Sequence, residues 1–130
     1  MTGLDTNVLV RYLTQDDEEQ LRLVLAMLLK KHATFFVSDL VLVETGWILR
    51  SLYDWTDDEV ADAYQRLLTT HNLDFEDESR LRSAIRGMKN GADFPGELIV
   101  DRCRAHGCRN IATFDKDMSQ RHPAFAVTPK

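Results

Sequence analysis

An apolar strand that ends in an aspartate opens the chain and sets the interpretation of everything after it. Residues 2–13 read T-G-L-D-T-N-V-L-V-R-Y-L, and the pattern predicts a strand over residues 2–5 and a helix over residues 8–13. Thr6 or Asn7 is the predicted N-cap of that helix, because a short polar side chain can accept a hydrogen bond from a free N–H at a helix start. The carboxylate of Asp5 is therefore expected at the point where the strand gives way to the helix.

The rest of the chain alternates further strand-like and helical segments. Strands are predicted at residues 35–37, 73–75, 110–114 and 124–127, and helices at residues 16–31, 38–52, 56–69, 77–89 and 93–106. The T-D-D-E sequence at residues 56–59 predicts a capping box. In the helix over residues 38–52, Leu40, Val43, Trp47 and Leu49 are the predicted apolar face.

Strands joined by helical crossovers indicate a parallel sheet covered on both faces. We expect an α/β fold, a three-layer α/β/α sandwich with a central, mostly parallel sheet of four to five strands. No repeat, low-complexity tract or linker interrupts the pattern, so residues 1–130 are expected to form a single domain.

Composition excludes several broad classes of protein. Hydrophobic residues make up 44% and charged residues 28% of the 130 residues, which is typical of a globular domain. No apolar run is long enough to cross a bilayer, and no signal-peptide pattern follows Met1. The sequence therefore predicts a cytoplasmic protein without a membrane partner.

The charge of the chain is unevenly placed. The net charge of −5 argues against simple electrostatic binding of nucleic acid. Residues 1–65 carry 5 Lys or Arg against 12 Asp or Glu, whereas residues 66–130 carry 11 against 9. A phosphate-binding surface should therefore draw on the second half, and its candidates are Arg86, Lys89, Arg102 and Lys116. The alternative is that these cations lie on solvated helix faces.

The cysteines and histidines do not predict a zinc site. Cys103 and Cys108 match neither a CxxC redox pair nor a zinc knuckle, so we expect two reduced thiols near a helix end. The four histidines form neither an HxxxH nor an HExxH pattern.

Three acidic residues stand where chemistry collects in parallel α/β folds. Asp5 and Asp115 each follow a predicted strand, and the carboxyl ends of parallel strands lie at one edge of the sheet. Glu44 lies within an apolar stretch, where an unpaired buried charge would be costly. Carboxylates brought together repel one another, and a hard cation such as Mg²⁺ or Mn²⁺ relieves that repulsion. This pattern is typical of metal-dependent hydrolysis of phosphodiesters.

Each acid also has a structural interpretation. Asp5 could serve only as a turn residue or helix cap, and Glu44 could pair with Arg50 or Arg11. Asp115 could lie in a surface loop together with Asp117. Position alone leaves both interpretations open.

Four sequence blocks resemble the PIN-domain family. They are D-T-N-V-L at residues 5–9, S-D-L-V-L-V-E at 38–44, G-A-D-F-P-G-E-L-I at 91–99 and T-F-D-K-D at 113–117. They fall in the family's order across nearly the whole chain, and the length is similar to that of free-standing VapC-type toxins. By this resemblance Asp5, Glu44 and Asp115 take the acidic catalytic and metal-binding roles. Thr6, Asn7 and Thr113 support those ligands, and Asp117 assists them.

The third block departs from the family's pattern. The family commonly reads D-F-x-D-x-L-I, with the second aspartate as a metal ligand, but this chain has Gly96 there. Asp93 fits the helix N-cap. Glu97 is the nearest substitute acid, about 100° further round the helix. Either Glu97 or Asp93 could rebuild the metal site, the glycine could weaken catalysis, or the chain could retain only its binding partners.

The resemblance implies a function and its partners. The function is that of a metal-dependent endoribonuclease, the toxin of a type II toxin–antitoxin module, and the alternative is a catalytically impaired protein that acts through binding. The implied partners are RNA, a VapB-like antitoxin and a second copy of the chain. A larger toxin–antitoxin assembly is a further form that the resemblance allows, and DNA would be contacted only through the antitoxin. Trp47, Leu52, Tyr53 and Trp55 are candidates for an antitoxin groove, with core or dimer packing as their alternative role.

Overall fold

Short parallel strands alternate with helices throughout the chain. The computed structural model describes residues 1–130. The strands are β1 Thr2–Gly3, β2 Phe35–Val37, β3 Leu73–Phe75, β4 Ile111–Ala112 and β5 Ala126–Val127. The helices are α1 Thr6–Thr14, α2 Glu18–Leu28, α3 Asp39–Tyr53, α4 Asp57–Leu68, α5 Glu78–Lys89, α6 Phe94–Ala105 and α7 Lys116–Arg121. None of the seven helices is long and apolar enough to cross a membrane.

All strand pairs are parallel, which confirms the α/β class. The strands form two sheets, however, one of order β1-β2-β3 and one of β4-β5. The prediction of one continuous sheet of four to five strands is therefore wrong. Both β1 and β4 are only two residues long, so pairing between them would add few hydrogen bonds to the ladder.

Every helix begins at a polar N-cap whose side chain accepts a backbone N–H. The caps, in chain order, are Asp5, Asp17, Ser38, Thr56, Asp77, Asp93 and Asp115. The predicted capping box at Thr56 and the predicted cap at Asp93 are confirmed. The prediction of Thr6 or Asn7 as the first cap is wrong, because the helix begins at Thr6 and Asp5 caps it. The short helix α7 was not predicted.

The core contradicts part of the predicted face of α3. Leu49 of that face is buried as predicted, but Leu40 and Trp47 remain 69% and 63% exposed, and the helix also buries Leu42, Thr45 and Gly46. Gly46 is buried because the ring of Tyr64 packs directly against it, where a larger residue would collide. The hydroxyl of Tyr64 donates a hydrogen bond to the carbonyl of Leu42 at 2.5 Å, so α3 and α4 are held close together.

Candidate active site

The first acidic group lies where β1 meets α1. One carboxylate oxygen of Asp5 accepts the N–H of Thr6 at 2.9 Å, and this bond caps α1. The buried Thr6 hydroxyl in turn donates to Glu44 Oε1 at 3.4 Å, across to α3. Asp5, Asn7 and Glu44 are exposed. Asp5, Thr6 and Glu44 therefore form one surface group, here named the Asp5 cluster.

Glu44 does not make either of the ion pairs that were considered for it. Arg11 pairs with Asp16 at 3.3 Å, and Arg50 pairs with Asp57 at 3.3 Å. Because Glu44 is exposed, it does not pay the cost of a buried unpaired charge. Its carboxylate remains open to an external ligand.

The second acidic group surrounds Gly96, between the start of α6 and α7. This Gly96 cleft is lined by Asp93, Gly96, Glu97, Asp115, Asp117, Met118, Arg121 and His122. Asp93 Oδ2 accepts the N–H of Gly96 at 3.1 Å and caps α6. Asp115 Oδ1 accepts the N–H groups of Asp117 and Met118 at 2.9 and 3.1 Å and caps α7. The cleft thus brings together the third and fourth sequence blocks.

Gly96 leaves space in this cleft where a side chain would fit. A Cβ built at Gly96 would lie 3.4 Å from Asp93 Oδ2 and 3.5 Å from Met118 Cε, both ordinary van der Waals distances. A side chain at this position would therefore enter the cleft without forcing the backbone to move. The glycine removes a functional group from the acidic cleft rather than relieving a steric clash.

Glu97 is held by a partner of its own. His122 Nε2 lies 3.2 and 3.1 Å from its two carboxylate oxygens, and the side chain of Glu97 is 14% exposed. A Cβ built at Gly87 of α5 would lie only 3.0 Å from Glu97 Cγ, so that glycine makes room for the glutamate. Asp101 lies one helical turn after Glu97 on the same face of α6. Burial raises the pKa of Asp101, and the charge of Glu97 raises it further.

Arginine and histidine complete the cleft, through contacts that the sequence did not predict. Arg121 pairs with Asp117 at 2.8 Å, one helical turn earlier, and donates to the carbonyl of Asn90 at 3.1 Å. The i,i+4 spacing of Asp117 and Arg121 was the available sequence signal. No local pattern predicts the contact of His122 with Glu97, because the two residues lie 25 positions apart.

The chemistry of these side chains suits a hard cation, but their arrangement in the structure does not. Only one oxygen of each capping carboxylate of Asp5, Asp93 and Asp115 accepts a cap bond, so the other oxygen is free. Nevertheless, no three Asp, Glu, His or Cys side chains are placed to hold one ion. Asp5 and Glu44 do not line the Gly96 cleft. The structure brings the predicted ligands together as two groups rather than one.

Comparison with known families places nearly the whole chain in one family. The PIN domain family matches residues 4–122, nearly the whole chain. The chain belongs to the PIN domain family. PIN domains are nucleases that generally use divalent metal ions. Neither the curated proteins nor the solved structures gave a significant match to this PIN domain.

Two of the four predicted phosphate-binding cations of this PIN domain are held in ion pairs, and two are not. Lys89 pairs with Asp62 at 2.5 Å, and Arg102 pairs with the buried Asp39 at 2.9 Å. Arg86 and Lys116 are exposed and make no ion pair. Lys116 directly follows Asp115 in the sequence, as the first residue of α7.

Thr113 supports the backbone at the fourth block. Its hydroxyl accepts the N–H of Asp115 at 2.9 Å, so it fixes the turn that presents this carboxylate. The side chain of Asn7 is exposed and makes no hydrogen bond. Two of the three residues predicted to support the acidic ligands therefore contact one of them: Thr113 contacts Asp115, and Thr6 contacts Glu44.

An ion network that the sequence did not predict surrounds the buried Asp39. Asp39 Oδ2 accepts from Arg80 at 3.0 Å and from Arg102 at 2.9 Å, and Arg102 also binds Glu76. Burial would raise the pKa of Glu76, but bonds from the Asp39 N–H and the Arg102 guanidinium outweigh burial and lower it. This network fixes α6 against α3 and the end of β3 in the PIN domain.

Proposed function

We propose that this PIN domain is a Mg²⁺- or Mn²⁺-dependent endoribonuclease, the toxin component of a type II toxin–antitoxin module similar to the VapC-type toxins. The observation that supports the proposal is the position of its acids. Asp5 and Asp115 both follow strands and both cap the next helix, and each keeps one carboxylate oxygen free. Membership of a nuclease family supports the same chemistry.

The proposed ligands come from both acidic groups. Asp5, Glu44 and Asp115 are the principal acids, and Asp93 supplies an oxygen beside Gly96. Glu97 and Asp117 line the same cleft and complete the proposed set. A bound divalent ion would lower the pKa of a water molecule and offset the negative charge of the phosphate.

The cations of the second half would position the RNA. Lys116 and Arg86 are free to contact phosphate oxygens, whereas Lys89 and Arg102 would first have to leave their carboxylates. Phosphate contacts fix the register of a nucleic acid but carry no sequence information. Selectivity would therefore come from the shape of a folded or single-stranded RNA.

Cleavage of total RNA by the purified chain tests this function. We expect cleavage in Mn²⁺ that stops on addition of chelator and is reduced at least about tenfold by Asp5→Asn, as for loss of a group that acts on the transition state. Asp74→Asn is the matched control, because Asp74 is exposed on β3 and makes no hydrogen bond. Equal activity of both variants would contradict the assignment of Asp5.

A second function, that of a catalytically impaired PIN domain, is favoured by a separate observation. Gly96 offers no oxygen where the family commonly has an aspartate, and His122 already holds the nearest glutamate. Such a protein would act mainly through dimerisation and antitoxin binding. Cleavage by the Gly96→Asp variant alone would establish it, whereas cleavage by the unaltered chain would rule it out.

An exposed apolar surface on α3 supports the proposed partners. Leu40, Trp47 and Leu52 are strongly exposed on this helix, whereas Tyr53 and Trp55 are only partly exposed. We propose that this surface binds a second copy of the chain or a VapB-like antitoxin. DNA would be contacted only through the antitoxin, and larger assemblies would use the same contacts. An antitoxin arginine could bridge the Gly96 cleft carboxylates.

Light scattering after size exclusion tests the dimer. We expect the unaltered chain to elute as a dimer and Trp47→Ser to shift it toward the monomer, because the exposed ring would no longer be buried between copies. A monomer at all concentrations in the unaltered chain would contradict a homodimer through this face.

A further inference from the structure

The C-terminal end of α6 brings the two cysteines of the chain together. The N–H of Cys108 donates to the carbonyl of Cys103 at 3.0 Å, and the N–H of Gly107 donates to the carbonyl of Arg104 at 3.0 Å. Gly107 has a φ of +92°, the left-handed conformation that glycine adopts readily. These two bonds define a Schellman motif, in which the side chains at the positions of Cys103 and Cys108 commonly touch.

The two thiols differ in their surroundings. Cys103 is partly buried and Cys108 is exposed. Burial raises the pKa of the Cys103 thiol, and the neighbouring Cys108 raises it further. Because the thiolate is the reactive form, the exposed Cys108 is the thiol that reacts first, and Cys103 stands beside it as the second.

We propose that Cys103 and Cys108 form a redox modification site, in which an intramolecular disulfide closes across the end of α6. The oxidant is a small-molecule disulfide such as oxidised glutathione. The Cys108 thiolate attacks one glutathione sulfur, the glutathione disulfide breaks, and one glutathione leaves as thiolate. The Cys103 thiolate then attacks the Cys108 sulfur and displaces the second glutathione.

Atoms and electrons are conserved in this exchange. Two protein thiols are oxidised to one disulfide, and one oxidised glutathione is reduced to two glutathione thiols that take up the two protons. Disulfide exchange of this kind proceeds through a mixed disulfide. In a reducing compartment such bonds are transient and regulatory rather than structural.

The position of the pair links it to the rest of the molecule. Cys103 lies on the helix whose first turn forms the Gly96 cleft, and Cys108 begins the segment that leads through β4 to Asp115. A covalent bond at this point would join α6 to that segment. The CxxC pattern does not identify this pair, because that pattern describes thiols at the start of a helix, whereas Cys103 and Cys108 lie at the end of one.

Intact mass after incubation of the full, reduced chain with oxidised glutathione tests the proposal. We expect each unaltered chain to lose two hydrogen atoms, without a covalent link to a second chain and without retaining glutathione. Cys103→Ser should retain one glutathione on Cys108, because no second thiol is present to displace it. Cys108→Ser should react more slowly, since Cys103 is less accessible.

Two results would overturn the proposal. One is stable glutathione on either cysteine of the unaltered chain, which would show that the thiols do not reach each other. The other is a disulfide between two chains in place of the intramolecular bond. Both are read on the unaltered chain, so the test does not depend on the folding of either variant.

Discussion

His122 Nε2 contacts both carboxylate oxygens of Glu97, at 3.2 and 3.1 Å, and so fastens the end of α7 to the first turn of α6. These two elements form the walls of the Gly96 cleft. The contact therefore holds the cleft in shape and at the same time occupies the acid that follows Gly96 in the sequence.

Removal of this contact should loosen the cleft. His122→Ala is expected to lower the free energy of unfolding by about 1 to 2 kcal/mol, the usual cost of leaving a poorly exposed polar group without its partner. Urea denaturation measures the change, and His71→Ala is the control because His71 is exposed and makes no side-chain hydrogen bond. Equal stability of the two variants would show that the contact contributes nothing.

Gly46 should be much less tolerant of substitution than Gly3. A Cβ at Gly46 would collide with the buried hydroxyl of Tyr64, whereas a Cβ at Gly3 would meet nothing within 4 Å. Gly46→Ala is expected to destabilise the fold by about 2 kcal/mol or more through overpacking. Thermal unfolding of both variants measures this, and a Gly46→Ala protein as stable as Gly3→Ala would contradict the packing of α3 on α4.

Acidification should weaken the ion network around Asp39. The pKa of Glu76 in the folded chain is lowered from 4.5, so its charge stabilises the fold above that value. This contribution is lost as the pH falls below 4.5 through the folded pKa. Glu76→Gln should therefore be less stable than the unaltered chain at neutral pH, and the difference should shrink below pH 4.5.

Chemical denaturation across that pH range measures the difference. Asp74→Asn is the control, because the carboxylate of Asp74 is exposed and makes no ion pair. A gap between Glu76→Gln and the unaltered chain that stays constant with pH would contradict the role of the Glu76 charge.

Gly96→Asp should fold and should bind Mn²⁺ more tightly than the unaltered chain. The new Cβ meets its neighbours at 3.4 Å or more, and an acid in the first turn of α6 also suits the helix dipole. Calorimetric titration measures the affinity, with Gly96→Asn as the uncharged control. Equal affinity of the Asp and Asn variants would show that the cleft does not accept a cation at this position.

Local signals predicted much of this fold. The capping box at Thr56 and the cap at Asp93 need only residues within one helical turn, and each is present. The helix α7 was missed because six residues carry too little periodicity and Asp115 was considered only as a ligand or loop residue. It serves as that helix's cap.

Other features of the structure depend on tertiary contacts, which local sequence patterns do not predict. In α3 apolar residues occur on several sides of the helix, so periodicity did not identify the buried face, and packing on Tyr64 selected the side that carries Gly46. The contacts of Glu97 with His122 and of Asp39 with Arg102 join distant parts of the chain. Predicted ligands were found in two groups, because helix capping and ion pairing also draw on their carboxylates.

Binding of Mn²⁺ by the unaltered chain tests the proposed metal site most directly. Electron paramagnetic resonance of Mn²⁺ titrated with protein should show saturable binding, and binding should weaken in both Asp5→Asn and Asp115→Asn but not in Asp74→Asn. Loss in both variants would mean that the Asp5 cluster and the Gly96 cleft serve a common site. The proposed metal site would be contradicted if no form bound Mn²⁺. It would also be contradicted if binding were saturable but unchanged in both Asp5→Asn and Asp115→Asn.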